Sequence, residues 1–367
     1  MKALAMVAVI LLSGCGSARV SATASPPAGV TAAASASPAS APRLESPSPP
    51  ELPTPSPIAL LPVVDPGFSC RLPVDNVVGA TLLTGGFVAV PGGVFQPDPG
   101  ATLVSLGSDS FETAMQPALK GTSGLAFDTA SSRWVPADPG VISDDGSQYA
   151  WTDRSIDTTN RLHITTVADG TDRSWPVPPP SEIVGQGPPR IPVPLAITTG
   201  GVLLSYGWEG DFGVWRLDLT TGLLTKLSSE AHPVGYGAAA VWLDPLRGNT
   251  QVGPDGGDTL ARLDLTSGSV VDWFHRDGVS VGYLGIDRDG NPWMETWAWE
   301  LHGVPQIWRV RGPGQADLIL AGQSVNEIQA NSRGTWFAND SGVYLFADGS
   351  LERVSAAPVG ELLGPCI

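Results

Sequence analysis

Val214-Trp-Arg-Leu-Asp-Leu-Thr-Thr-Gly222 and Leu260-Ala-Arg-Leu-Asp-Leu-Thr-Ser-Gly268 are two copies of one local design, a short alternating strand closed by a glycine turn. Arg161-Leu-His-Ile-Thr-Thr-Val-Ala-Asp-Gly170, Ile307-Trp-Arg-Val-Arg-Gly312 and Val343-Tyr-Leu-Phe-Ala-Asp-Gly349 repeat it, with closing glycines 52, 46, 44 and 37 residues apart. Glycine serves here because tight hairpin turns require a positive φ. A second unit lies upstream in most copies, a glycine turn that launches an aromatic strand. Examples are Asp144-Asp145-Gly146 before Trp151, Asp289-Gly290-Asn291 before Trp293, and Arg333-Gly334 before Trp336. From about Leu61 onward no long segment keeps a 3.6-residue period, and the best helical candidate, Ser110 to Ala118, is cut by Pro117. The chain reads as all-β.

A period of about 45 residues with roughly four short strands per repeat is the signature of propeller blades. Five units span 141–180, 181–231, 232–277, 278–322 and 323–355. Residues 71–140 supply at least one more, with strands at Gly85–Val90 and Leu125–Asp128. The expectation is a β-propeller of six four-stranded antiparallel blades, with seven as the alternative. Ile142-Ser143-Asp144-Asp145-Gly146-Ser147-Gln148-Tyr149-Ala150-Trp151 resembles the repeat of TolB-type, WD-repeat-like propellers, with Asp144 where proline is usual. Ile286-Asp287-Arg288-Asp289-Gly290-Asn291-Pro292-Trp293 is similar to the repeat of sensor-type propellers. These resemblances imply the fold and carry over no functional residue.

The N-terminus has a different character. Met1-Lys2 precedes an apolar run from Ala3 to Leu12, followed by Ser13-Gly14-Cys15. That run is too short to cross a hydrocarbon core of ~30 Å as a helix, and its layout is that of a secretory signal peptide, residues 1–14. Leu12-Ser13-Gly14-Cys15 resembles the lipobox of bacterial lipoproteins. The resemblance implies that the Cys15 sulfur receives a diacylglyceryl group, that cleavage precedes it, and that two or three acyl chains then hold the protein on the outer face of a membrane. Residues 16–60 are rich in Ala, Ser, Thr and Pro, with ten prolines from Pro26 to Pro57. Such a segment cannot bury enough apolar surface to offset its ordering entropy, so residues 15–60 read as a lipidated cysteine and a disordered tether. The propeller domain occupies 61–367.

With 20 basic against 36 acidic residues the chain carries a net charge of −16. That sign opposes phosphate backbones and anionic headgroups, which argues against nucleic-acid binding and a polybasic membrane patch. Once Cys15 is lipidated, Cys70 and Cys366 remain as an even pair in an oxidising compartment. A disulfide between them would staple the propeller where its two ends meet, the alternative being two free buried thiols. No cysteine spacing suits zinc.

No GxSxG elbow, HExxH or GxxxxGK[ST] loop is present, and His163, His232, His275 and His302 show no ligand-like spacing. Asp287, Asp289 and Asn291 have the oxygen spacing of calcium loops but lack a third acid and the closing Glu, and the same residues make a good hairpin turn. In Trp293-Met-Glu295-Thr-Trp297-Ala-Trp299 the period of two places Trp293, Glu295, Trp297 and Trp299 on one face. Aromatic residues beside a carboxylate grip sugars and cations, but tryptophans also pack blade against blade. No cofactor is expected. The sequence points to a monomeric, membrane-tethered module that binds a small molecule, glycan or protein. The rival reading is an extracytoplasmic carbohydrate-active hydrolase or lyase with carboxylates at the channel.

Overall fold

Asp218 shows how the chain reverses at its repeat. Its carboxylate accepts the N–H groups of Thr220 (2.7 Å) and Thr221 (3.0 Å), and Gly222 follows at φ 71°. Asp264 treats Thr266 (3.0 Å) and Ser267 (2.8 Å) the same way before Gly268 at 69°. An aspartate that satisfies the turn's own donors, followed by a residue free to take positive φ, specifies a hairpin from purely local chemistry. One expectation shifts by two residues: Gly312 ends its strand, and Gly314 takes the positive φ of that turn.

The computed structural model describes residues 60–75, 84–102, 124–152, 160–179, 192–206, 213–229, 232–245, 257–298 and 304–367. The helical candidate at 110–118, Cys15, Trp208 and Trp299 lie outside these residues. Strands β1 (Cys70–Asp75), β2 (Thr84–Val90) and β3 (Phe95–Thr102) form the first sheet. A hairpin of β4 (Ala126–Asp128) and β5 (Arg133–Val135) follows. The next sheet is β6 (Gln148–Thr152), β7 (Arg161–Thr166) and β8 (Asp172–Pro176), to which Ile142 adds an inner bridge opposite Tyr149. Four complete four-stranded sheets come next. They are β9 (Pro192–Thr198), β10 (Gly201–Tyr206), β11 (Val214–Leu217) and β12 (Leu224–Ser228), then β13 (His232–Gly237), β14 (Ala240–Asp244), β15 (Thr259–Asp264) and β16 (Val270–His275). After them come β17 (Val279–Ile286), β18 (Pro292–Ala298), β19 (Gln306–Gly312) and β20 (Gln315–Ala321), and finally β21 (Ile328–Asn331), β22 (Gly334–Asn339), β23 (Gly342–Ala347) and β24 (Ser350–Ser355). All pairings within the sheets are antiparallel between consecutive strands. The result is a six-bladed propeller with the β4–β5 hairpin between its first two blades. Among the described residues the only helical turn is the 3-10 turn Pro139–Val141.

The core is a series of seams between blades. Val241, Leu243, Ala261 and Leu263 of the fourth blade pack on Ala196, Leu203 and Val214 of the third. Trp242, Leu260 and Phe274 pack on Met294, Trp308 and Val310 of the fifth. Trp293, Leu284 and Ile307 pack on Phe337, Tyr344 and Ile328 of the sixth. Second strands lie in mid-sheet with a neighbouring blade on each face, which is why β10 (GVLLSY) and β14 (AVWLD) are buried along their whole length.

The ring closes at the two ends of the folded region. The C-terminal segment runs antiparallel to β1 as the missing inner strand of the first blade. Arg71 and Ile367 exchange both backbone hydrogen bonds (2.9 and 3.0 Å), and Leu363 N–H donates to Pro73 O (3.0 Å). At the outer edge, Val64 N–H donates to Arg353 O (2.9 Å) beside β24. Cys70 and Cys366 form the expected disulfide, with Cα atoms 5.8 Å apart and a sequence separation of 296. It lies within the apolar seam that joins the first blade to the sixth, alongside Leu72, Val74, Trp336 and Leu345.

Candidate functional site at the channel mouth

The inner strands β9, β13, β17 and β21 are neighbours around the ring and wall its centre. Glycines let them approach. A Cβ on Gly235 would collide with the Tyr283 ring, one on Gly237 with Ile286, and one on Gly285 with Ile328. The wall is therefore apolar and glycine-rich, and side chains of one blade fill the places that glycine leaves on the next.

At the end where inner strands begin, the surface changes character. Glu327 immediately precedes β21, Asp138 precedes the 3-10 turn that leads to the inner bridge of the second blade, and Glu361 opens the closing segment. Asp75, the last residue of β1, is buried, and its carboxylate accepts the backbone N–H of Glu361. Burial pushes the Glu327 carboxyl up to about 7, helped by the carboxylates of Glu361, Asp138 and Asp75. Burial also lifts Asp75 to about 6, against the Glu361 N–H that stabilises its charged form. Glu327 is exposed to solvent even though many protein groups crowd around it. The nearby Tyr283 hydroxyl is raised as well, by burial and then by the Glu327 charge. Four carboxylates from well-separated parts of the chain thus converge at one opening. They can accept a cationic group, or hold and release a proton near neutral pH.

No protein-family model matches the sequence, and no curated protein matches it. Among solved structures the chain is similar to TolB from Acinetobacter baumannii, at 13% identity and a TM-score of 0.43, over 79% of this chain and 64% of that one. It is similar to one of two prolyl endopeptidases at 8% identity and a TM-score of 0.44, over 77% of this chain and 49% of the other. A third likeness, at 11% identity and a TM-score of 0.44, is to a protein from Bacteroides uniformis provisionally described as a 6-phosphogluconolactonase, covering 80% of this chain and 97% of that one. The chain spans less than two thirds of the TolB structure and about half of the endopeptidase. Likenesses of this grade say nothing about ligand or chemistry, and the six-bladed description rests on the sheets themselves.

The aromatic strand β18 does not present one open face. Trp293 is fully buried in the seam between the fifth and sixth blades, edge-on to Phe346 at 5.2 Å. Glu295 is also buried. Its carboxylate accepts the Ser324 hydroxyl (2.8 and 2.9 Å) and the Val325 N–H (3.3 Å), and burial raises its pKa. It fastens β18 to the crossover leading into β21. Trp297 is half-buried, with its indole lying over Gly282 of β17.

Asp287, Asp289 and Asn291 form a turn around an arginine. The Asp287 carboxylate accepts the N–H groups of Asp289 and Asn291 (both 2.9 Å) and the Arg309 Nε (2.6 Å), while Asp289 takes the other guanidinium nitrogen at 2.8 Å. Burial alone would lift Asp287, but the hydrogen bonds from Asn291 and Arg309 outweigh it and hold the carboxyl below its ordinary value. The positive charge that a calcium ion would supply is provided by Arg309.

None of the four mouth acids stands out in the sequence. One signal was there to find: Asp138, Glu327 and Glu361 each sit just ahead of an inner-strand position, which becomes visible once the blades are parsed.

Proposed function

We propose that this chain is a membrane-tethered extracytoplasmic propeller, anchored through Cys15, that binds a cationic group of a small molecule or protein partner at the acidic mouth of its channel. The convergence of Asp75, Asp138, Glu327 and Glu361 carries the reading. Like charges crowded into a partly desolvated opening hold their protons abnormally tightly, and an entering cation relieves that repulsion directly. The apolar, glycine-rich inner wall suits the stem of a lysine-like or polyamine group. The chain acts as a monomer in this reading, and the tether sets the domain off the membrane.

Two experiments test it. Spermidine and a lysine-rich peptide, titrated calorimetrically into the protein, should bind saturably and more weakly as salt rises, and the Glu327→Gln/Glu361→Gln double variant should lose that binding. Equal binding by parent and variant would remove the mouth from consideration. For the anchor, Cys15→Ser should move the protein from the membrane to the soluble fraction, and a variant still sedimenting with detergent-free membranes would contradict lipidation.

A second reading has one observation in its favour. A carboxyl raised to about 7 beside other carboxylates is the pairing that glycoside hydrolysis uses for its general acid. Hydrolysis of aryl glycosides that disappears in Glu327→Gln would favour a hydrolase over a binding module.

A further inference from the structure

We infer that a cavity at one end of the seam between the fifth and sixth blades binds a saccharide ring through two vicinal hydroxyls. Strand alternation builds the cavity. Ile307 of β19 and Phe337 of β22 point into this seam, so Arg309 and Thr335, two residues away on the same strands, face it as well. Phe346 continues the face that Tyr344 presents from β23. The turn after β17 contributes Arg288 and Asp289 to the lining, and the turn after β23 contributes Asp348. The space they enclose is about 210 Å³, room for one ring-sized ligand. It lies where inner strand β17 ends, away from the acidic mouth, and does not depend on the reading of that mouth.

The two arginines play different parts. Arg309 is committed to the protein: Asp287 accepts its Nε at 2.6 Å and Asp289 its Nη2 at 2.8 Å. Arg288 is anchored at one nitrogen, where Nη1 donates to the Ser332 carbonyl at 3.0 Å. Its Nε lies 3.9 Å from Asp289 Oδ1, and its Nη2 lies 3.9 Å from Asp348 Oδ1. Those separations are too long for direct hydrogen bonds. They suit an inserted hydroxyl, since one oxygen can stand ~2.8–2.9 Å from both members of such a pair. Each hydroxyl would accept an N–H from Arg288 and donate its own hydrogen to the facing carboxylate. Nε and Nη2 belong to one rigid planar fork, so the two hydroxyls must sit side by side, as on adjacent ring carbons.

The charge pattern favours a neutral ligand. Asp287, Asp289 and Asp348 each already face an arginine, so an ionic ligand would have to displace an existing partner. A hydroxyl displaces nothing and serves donor and acceptor together. The half-buried Phe346 ring offers an apolar wall to the C–H face of a sugar, and the buried Thr335 brings a further hydroxyl to the lining. Arg288 stands between the two aspartates of its own turn, so one half of the site is contiguous in sequence. The other half, Asp348, comes from a hairpin of the next blade.

The test is titration of methyl glucoside, methyl galactoside and methyl mannoside, and of disaccharides ending in the same rings, into the full chain. Calorimetry and saturation-transfer NMR read the binding, in a detergent without a sugar headgroup. At least one glycoside should bind saturably. Equal binding of the matching disaccharide identifies a glycan end as the source, and its exclusion identifies a free monosaccharide. Arg288→Lys keeps the charge but cannot present two parallel donors. Asp348→Gly removes one acceptor at a position whose φ of 50° glycine adopts without strain. Each variant should weaken binding about tenfold. Both side chains are exposed, at 46% and 95%, so both variants should keep the melting temperature of the parent, which separates a lost contact from a lost fold. Absence of saturable binding by every saccharide, or binding that Arg288→Lys leaves unchanged, overturns the site. So does saturable binding of free glycine, a zwitterion, in place of the glycosides.

Discussion

Trp293 and Trp297 sit four residues apart on the same side of one strand, yet they meet different surroundings. Trp293 is fully buried and fills the seam against Phe337 and Phe346. Trp297 lies over Gly282 with part of its indole in solvent. Truncating the first leaves a closed cavity, and truncating the second leaves a notch that water can fill. Trp293→Ala is expected to cost ~3–5 kcal/mol and Trp297→Ala less than half as much, as read from paired denaturant melts. Equal losses would mean that the seam closes over Trp297 too. Alternation in the sequence put the two residues on one face correctly, but it could not say that this face is covered at one end and half open at the other.

At the scale of elements, the strand ends that meet at the channel mouth carry the pH behaviour. Asp75 and Glu327 have folded values of about 6 and about 7, against ordinary values of 3.8 and 4.5. A folded state that holds protons more tightly than the unfolded chain gains stability from them at low pH. That contribution is fully present below about pH 4 and is lost as pH rises through the folded values toward 7. Glu327→Gln removes the largest part of it. The melting temperature of the parent should therefore fall relative to that of Glu327→Gln as pH goes from 4.5 to 7.5, with the gap opening mostly between 5 and 7. Parallel curves would show that Glu327 does not meet the other acids in solution. Exposed turn acids such as Asp218 and Asp264 contribute in the opposite sense, since hydrogen bonds from their own turns hold them below the ordinary range.

The whole molecule is shut by two devices of different strength. The disulfide restrains the unfolded chain, and for a loop this long the entropic model assigns it ~5 kcal/mol. The closing segment contributes more than a restraint, because residues 360–367 supply the inner strand of the first blade and bury Leu362 in the closing seam. Cys366→Ser is expected to fold with a lowered melting temperature, while deletion of 360–367 should abolish the cooperative transition. An unreduced digest should contain the linked Cys70 and Cys366 peptides. A deletion variant as stable as Cys366→Ser would show that the ladder adds nothing beyond the bond.

Hairpins, blade boundaries and the disulfide were legible in the sequence because each depends on interactions that local residues specify or that simple pairing forces. Asp218 and Gly222 make their turn wherever the rest of the chain goes, and Cys70 and Cys366 stand at the two ends of the repeat array that a closed ring must bring together. The mouth was not legible. Asp75, Asp138, Glu327 and Glu361 become one electrostatic unit only after the ring closes and brings the last strand beside the first. Asp287 gains Arg309 from a neighbouring strand in place of an ion. Backbone preference acts over a few residues and leaves its mark in the sequence, whereas charge, burial and cavity shape act through space, and only the tertiary structure determines which groups share it.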